Sequence, residues 1–553
     1  MLWREPRVVS QEARVQEMLK FQLSIVPALL PLAAVAQTRP NIVLFLVDDM
    51  GLMDTSLPFN TDSSGQPVHQ PLNQWYHTPN MERLATTGIR FTSFYAQSVS
   101  SPSRASLLTG QNAARHRTTN WINAESDNRT TYGPPRWNWQ GVDCRQPLFT
   151  ALLQSAGYRT IHIGKGHLGP IGSQAEDPVH AGYDVNIAGS AIGEPGSYYG
   201  QDNYGQSSMV NPAGVTSGSS MVNDQWSTPE GSRAASENEV AMVNNSRAVP
   251  GLDRYHGTDT FLTDALTAEA CREIQSAVAD GRPFFLALSH YAVHNPFQPD
   301  PQYISRYRGR GTNPQAEAYA TLIEGMDHSL GTILLQLQQL GIDRNTLVIF
   351  MSDNGGDAPL GGGEDYGSCA PYRGKKGSAY EGGMRVPCII SWAQPDAGVP
   401  AQHAMPVSQG AVQTQLATIM DIYPTVLDAA QVPLPRHHTL DGSSLRRMMQ
   451  AQPDRNHRPY FLMHFPHGDH RSNYFTAYRR DRWKLIYRYN PGHPDQPTAE
   501  LYDLATDPYE HRDLAAAMPR QTRRLIREMA RRLRAEHALY PVDSLGNELK
   551  PHP

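Results

Sequence analysis

The chain is 553 residues long, too long for one ordinary core, so one large and one smaller domain is the natural expectation. It holds 48 Lys and Arg against 53 Asp and Glu, a net charge of −5, with 39% hydrophobic and 18% charged residues. That balance excludes a strongly basic nucleic-acid binder, so an anionic ligand would have to be recognised by local cations within a site.

Met1 to Glu17 is polar and featureless. Met18-Leu19-Lys20 then makes a short basic start, Phe21 to Leu32 an apolar run broken by prolines, and Ala34-Val35-Ala36 a small-residue cleavage site. Residues 1–36 therefore read as an N-terminal extension and signal peptide, with translation from Met18 and a mature start near Gln37. The apolar run is shorter than the ~20 residues a span needs, so no membrane anchor is expected. Cys144, Cys271, Cys369 and Cys388 are too few and scattered for a disulfide scaffold; Cys369 and Cys388 are either a pair or two buried thiols.

Asn41 to Val47, N-I-V-L-F-L-V, is a continuous run of the kind found in a parallel strand buried on both faces. It ends in Asp48-Asp49. Adjacent carboxylates at such a strand end lie in the ligand crevice of an open α/β sheet and repel each other unless a cation lies between them. A metal is the economical explanation, an Asp-made turn or cap the structural one. Thr78 as N-cap and Pro79 at the first position predict a helix to Thr87 closed by Gly88, and Ile89 to Tyr95 a strand. A helix is expected just behind Ser100, with Arg104 one turn on; its mouth favours an anion. Leu148 to Ser155 reads as a helix and Tyr158 to Ile163 as a strand, after which G-K-G-H-L-G places Lys165 and His167 at the same sheet edge as Asp48.

From about 170 to 250 the composition turns to Gly, Ser, Asn and Tyr, an irregular insertion. Its aromatics, Tyr198, Tyr199, Tyr204 and Trp226, suit sugar stacking or belong to a crossing loop. Thr260 to Ala279 predicts an amphipathic helix, and Pro283 to Ser289 a strand leading to His290 and His294. Gln315 to Leu340 is the next helix and Thr346 to Met351 the next strand, ending at Asp353-Asn354. Three carboxylates and one amide carbonyl are hard ligands, suited to Ca²⁺ or Mg²⁺. After Gly361 to Gly363 come Lys375 and Lys376, of which one faces the site and the other solvent. From Arg455 the pattern changes to strands at Pro459–His464, Tyr474–Tyr478, Trp483–Tyr489 and Glu500–Leu504, then an arginine-rich helix, Arg520 to His537, whose R-R-x-x-R face reads as solvated. The fold class is therefore α/β, a large mostly parallel sheet sandwiched by helices over residues 37–454, with a smaller C-terminal α+β part, an antiparallel sheet plus helix, over 455–553.

Ser100 to Gly110, S-S-P-S-R-A-S-L-L-T-G, resembles the signature [C or S]-x-P-S-R-x-x-x-L-T-G of the type I, formylglycine-dependent sulfatases of the alkaline-phosphatase-like superfamily. V-D-D, G-K-x-H-L-G, H-x-P-F, S-D-N-G, R-G-x-K-G-x-x-Y-E-G-G-x-R-V-P and the closing E-L-Y-D-L-x-x-D-P-Y-E follow the same family in order. The resemblance implies Asp48, Asp49, Ser100, Asp353 and Asn354 as ligands of one Ca²⁺, and Arg104, Lys165, His167, His294 and Lys376 as the sulfate-handling groups, Lys376 being picked by its spacing from Y-E-G-G. It implies hydrolysis of sulfate monoesters on a sulfated carbohydrate, with His294 as acid and His167 as base. Serine at position 100 implies a bacterial member matured by a radical-type sulfatase-maturating enzyme, secreted to the periplasm. Gly166 stands where the family commonly has Trp, leaving a gap that something must fill. His464, His467, His470 and Arg471 are read as a sugar subsite, or as a surface turn with incidental histidines; H-F-P-H and Gly196 to Gly200 are similar to members acting on galactose-type sulfates. A two-zinc phosphatase would need further Asp and His ligands, and a non-catalytic glycan binder would keep Ser100 unmodified.

Overall fold

The computed structural model describes residues 39–552 apart from 63, 206–246, 312, 359–368 and 469. The leader reading, Trp226, Gly361 to Gly363 and Asp469 lie outside the described residues.

The central sheet is built from strands whose side chains are apolar on both faces. β1 is Asn41–Val47. Its Ile42, Leu44 and Leu46 enter one core and Val43, Phe45 and Val47 the other, as the two-residue period of a strand demands. Each buried side chain of this size contributes about 1.5–3 kcal/mol. In chain order there follow helix α1 (Pro79–Thr87), strands β2 (Ile89–Phe91) and β3 (Phe94–Tyr95), helices α2 (Ser100–Thr109) and α3 (Phe149–Ser155), and strands β4 (Arg159–Gly164) and β5 (Val185–Ile187). Then come α4 (Leu262–Ala279), β6 (Phe284–Ser289), α5 (Pro314–Gln339), β7 (Thr346–Ser352), β8 (Cys388–Trp392) and β9 (Ala411–Gln413). The eight-stranded sheet runs β9-β2-β8-β7-β1-β6-β4-β5. β8 is antiparallel to both its neighbours and the remaining pairings are parallel. Helices α2 and α3 cover one face, and α1, α4 and α5 the other. Because β7, β1, β6 and β4 are adjacent and parallel, their C-terminal ends open at one edge.

The C-terminal region forms a separate antiparallel sheet, β10 (Tyr460–Phe465), β11 (Phe475–Arg480), β12 (Trp483–Arg488) and β13 (Thr498–Asp503), followed by helix α6 (Pro519–Ala535). No helix among the described residues is long and apolar enough to cross a membrane.

Some local expectations are displaced by tertiary contacts. Ile89 to Tyr95 is not one strand: β2 belongs to the large sheet, whereas β3 pairs with Ala417–Thr418 in a sheet of its own. The Thr78 hydroxyl does not cap α1, because it accepts from Ser56 N at 2.9 Å. Asp327 of α5 does so from across the structure, accepting from Asn80 N at 3.0 Å and Met81 N at 2.8 Å. Gly88 is extended rather than left-handed, and its missing Cβ makes room for Ser391. Cys369 and Cys388 are both buried and form no disulfide with each other. The insertion's tyrosines are core: Tyr198 and Tyr204 have no exposure, and the Tyr198 hydroxyl donates to the carbonyls of Tyr291 and His294 at 2.8 Å each.

A buried ion network joins the small sheet to the large one. Lys484 of β12 lies 3.1 Å from Glu381 and 2.7 Å from Glu510, all three without meaningful exposure. Glu381 belongs to the Y-E-G-G turn behind Lys376, and it accepts from the Tyr95 hydroxyl on the strand that feeds α2. Burial and the nearby Glu381 push Glu510 up to about 7, while Lys484 and Arg479 hold Glu381 down at about 2 against its burial. The two carboxylates thus share one lysine, which favours ionised Glu381 over ionised Glu510.

Lys484→Met should destabilise the protein by about 3–5 kcal/mol, since it leaves two buried carboxylates facing each other. Glu510→Gln, which removes a group already near protonation at neutral pH, should cost clearly less. Urea denaturation at pH 7 checks this; equal losses would show that both carboxylates are fully ionised.

Candidate active site

The four strand ends each deliver part of one cluster. Asp48 and Asp49 follow β1, and Asp353 and Asn354 follow β7. The turns are tied together by the backbone: Asp353 N donates to Val47 O at 3.1 Å, Asp48 N to Ala292 O at 3.0 Å and Val293 N to Asp48 O at 2.7 Å. Asp49 sits at φ 60 and His167 at φ 53, left-handed backbone in non-glycine residues of the kind that gathers at functional sites. One carboxylate oxygen from each of Asp48, Asp49 and Asp353 lies within 4.8 Å of the others, and all three side chains are buried. At an effective dielectric of 20, each pair of charges at that separation repels by roughly 3 kcal/mol.

Three cations oppose this repulsion. Lys165 reaches Asp48 at 2.6 Å, Lys376 reaches Asp49 at 2.7 Å, and the Arg104 guanidinium meets Asp353 Oδ2 at 2.9 Å. The offset is incomplete at Asp48. Burial, with Asp353 and Asp49 adding to it, outweighs Lys165 and pushes this carboxyl up to about 6. Asp49 faces the same burial, but Lys376 and His294 hold it below the usual carboxylate range. The donor set fits a hard divalent cation: Asn354 gives its Nδ2 to Asp49 Oδ1 at 2.7 Å, so its own Oδ1 turns towards Ser100 Oγ at 3.1 Å. Such an ion would favour the ionised form of Asp48.

Ser100 is the first residue of α2, not a residue before it, and Val99 is the N-cap. Gly110, at φ 65, ends the helix by donating its N–H to Ser106 O. The Ser100 hydroxyl lies 3.1 Å from Asp48 Oδ1 and 3.2 Å from Lys165 Nζ. One turn on, Arg104 Nη1 donates to Lys165 O at 2.9 Å and to Ser289 Oγ at 2.7 Å, which fixes the plane of the guanidinium.

The two histidines differ in setting. His167 lies 2.8 Å through Nε2 from Ile122 O, and its buried Nδ1 has no hydrogen-bond partner among the described residues. Burial and Lys165 hold it well below its ordinary pKa, so it is a neutral ring: Nε2–H donates and Nδ1 remains an open acceptor. His294 meets Lys376 Nζ at 2.8 Å through Nε2, and its Nδ1 lies 3.0 Å from Asn295 O and 3.6 Å from Glu194 Oε2. Of the two adjacent lysines, Lys376 reaches the cluster while Lys375 pairs with Asp357 at 3.4 Å.

Glu194 and Ser289 were not legible as site residues. Ser289 is an unremarkable strand end. Glu194 comes from the insertion, where no period or motif marks it, and it is also paired with Arg247. The same loop fills the space left at Gly166: a Cβ there would meet Ser190 O at 2.8 Å, and Ser190 O accepts from His167 N at 2.9 Å.

The four residues read as a sugar subsite separate into two pairs. His464 and His467 are fully buried and unavailable to a ligand: His464 lies between Thr476 Oγ1 (2.8 Å) and Leu539 O (2.7 Å), and His467 lies 2.9 Å from Thr119 Oγ1, edge-on to Trp137. Both faces of β10 are covered, which encloses His464, and the turn beyond the strand encloses His467. Arg471 does reach the cluster's rim, donating to Lys376 O at 3.2 Å and pairing with Asp357 at 2.7 Å. His470 packs over Gly377, beside Lys376.

Residues 40–432 match the sulfatase family, and residues 375–538 match the N-sulphoglucosamine sulphohydrolase C-terminal family. The chain is 29% identical over 94% of its own length and 94% of the other's to a sulfatase of Formosa agariphila. It is 32% identical to the N-acetylgalactosamine-6-sulfatase of Mus musculus, covering 82% of this chain and 75% of that protein. The crystal structure of Ps i-CgsB shares the fold, with a TM-score of 0.64 at 23% identity over 92% of this chain and 96% of that one.

Protein stripped of divalent ions should bind one hard divalent cation, and at a hundredfold excess over Kd the ion should stabilise it by about 2.7 kcal/mol. Titration calorimetry and thermal unfolding check this. Asp353→Asn should abolish both responses; a variant that still gains the full stabilisation would place the ion elsewhere.

Proposed function

The chain belongs to the sulfatase family, and from that premise we propose that it works through Ser100 oxidised to formylglycine, with one Ca²⁺, on a galactose-type sugar sulfate. It is a sulfuric ester hydrolase, and its relatives include an N-acetylgalactosamine-6-sulfatase. The observation that carries the finer reading is the convergence on the Ser100 hydroxyl of Asp48, Asn354 and Lys165, each within 3.2 Å.

A sulfate ester is an anion and repels nucleophiles, so the site must offset its charge before it can attack sulfur. Arg104, Lys165 and Lys376 supply that offset from fixed positions, the preorganised electrostatic contribution that is usually the largest in catalysis. Asp48, Asp49, Asp353, Asn354 and residue 100 would hold the Ca²⁺, which when bound adds positive charge beside the sulfate oxygens and favours an ionised hydroxyl. Oxidation of Ser100, by a radical-type maturating enzyme in this reading, gives an aldehyde whose hydrate carries two hydroxyls on one carbon, so that sulfate can be released without attack by water on a stable ester. His294, with Lys376 beside it, protonates the departing sugar oxygen, because an alkoxide is a poor leaving group. His167, with its open Nδ1, takes the proton that accompanies sulfate release. Arg471 and His470 at the rim are the remaining candidates for sugar contact. The galactose-type assignment draws support from similarity to an N-acetylgalactosamine-6-sulfatase. The segment ending at Ala36 supports export to a bacterial periplasm.

Peptide mass analysis of protein co-produced with a radical maturase should show residue 100 lighter than serine by the hydrogens lost on oxidation, and protein made without the maturase should be nearly inactive. Full activity of protein carrying unmodified serine would overturn the reading.

The histidine roles separate by leaving group. His294→Ala should cripple turnover of a sugar sulfate and spare an aryl sulfate, whose phenolate leaves unprotonated. His167→Ala should slow both substrates alike and accumulate sulfated enzyme. Kinetics on both substrates with intact-mass trapping checks this; the opposite pattern would exchange the roles.

A further inference from the structure

Helix α6 has two unlike faces. Leu525, Ile526, Met529 and Leu533 are buried with Leu462, Tyr478 and Leu485 of the small sheet. Arg520, Arg523, Arg524, Arg527, Arg531 and Arg534 are all exposed. At 3.6 residues per turn these six fall within an arc of about 100°, in a row roughly 21 Å long. None of them forms an ion pair or side-chain hydrogen bond with another described residue. The remaining arginine, Arg532, lies over the Tyr460 ring, and the helix's one acid, Glu528, is taken by Arg480 at 3.0 Å.

Such a row is unfavourable for a helix facing only water. Like charges recur at three- and four-residue spacing, where neighbours on a helix repel. The first turn holds no acid, and Arg520 stands there at the positive end of the helix dipole. Seven arginines and one glutamate give the helix +6 in a chain of −5, so the rest of the chain carries −11. The positive charge is therefore gathered on one rigid element and left uncompensated by the protein itself.

We propose that the outer face of α6 is a binding surface for a sulfated polysaccharide, separate from the catalytic residues, none of which lies on this helix. Charge and shape point to a linear polyanion, and its being a sulfated polysaccharide rests on the proposed function. A linear polyanion laid along the row relieves the repulsion between neighbouring arginines, and guanidinium forks pair in two-point fashion with oxyanions of this kind. The apolar stripe anchors the helix, so the backbone that carries the row is already straight and ordered before binding. Because binding would displace counterions, its strength should fall steeply with salt.

The test compares the full chain with an Arg523→Gln/Arg527→Gln/Arg531→Gln variant on immobilised dextran sulfate, with unsulfated dextran as control, across rising NaCl. The wild type should bind dextran sulfate only. The variant should bind at least about tenfold more weakly at low salt, with a shallower dependence of log Kd on log salt. Its thermal midpoint should equal or exceed that of wild type, because three of the repelling charges are gone, and its turnover of a small aryl sulfate should match wild type. An unchanged Kd and salt slope in the variant would overturn the proposal. So would retention of the wild type by phosphatidylserine vesicles or duplex DNA but not by dextran sulfate. Binding is read without turnover, so failure of the catalytic reading would leave this result standing.

Discussion

The rest of the structure depends on three buried carboxylates being matched one to one with three fixed cations: Asp48 with Lys165, Asp49 with Lys376 and Asp353 with Arg104. Ion pairs removed from water are stable only where geometry and further hydrogen bonds hold both partners. That requirement explains the backbone ties between the strand ends and the bonds from Arg104 to Lys165 O and Ser289. Matched in this way the three cations are balanced by the carboxylates, so net positive charge for an anionic group would come from a bound divalent ion.

The loop after β5 shows how one missing side chain is absorbed. Gly166 leaves a space that the backbone at Ser190 enters, and the loop then carries Glu194 to the Nδ1 side of His294. The same insertion sends Tyr198 under the His294 segment, where its hydroxyl accepts the role of a strut between two carbonyls. A stretch that looks like a surface decoration in sequence is thus part of the support of one of the two histidines.

The small C-terminal sheet has an inward and an outward duty. Inward, Lys484 joins it to the Y-E-G-G turn and, through Tyr95, to the strand that leads into α2, while Arg471 reaches the carbonyl of Lys376. Outward, α6 buries its apolar stripe and turns its arginines to solvent. The separation is a direct result of the helical period, which places the two residue types on opposite sides of one cylinder.

The sequence by itself determined the doubly buried strands and the residues at their ends. A run such as N-I-V-L-F-L-V can satisfy its side chains only between two apolar layers, and the first polar residues after it must lie at the sheet edge. The bounds of β1 were legible for the same local reason; those of α1 match although the Thr78 hydroxyl does not cap the helix and Asp327 does so instead, and the ordered motifs were sufficient to indicate the family. Which loop residues join those ends was decided by tertiary structure alone. Glu194, Ser289 and Asp327 act across gaps of many residues, at positions that no period or cap signal distinguishes. His464 and His467 looked like donors in a polar segment, but β10 is covered on both faces and the following turn packs against Thr119 and Trp137, so both are buried, whereas His470 and Arg471 lie at the rim. Local chemistry sets what a segment can form; which of its polar groups meet water, a partner or a substrate depends on the elements that pack against it from elsewhere in the chain.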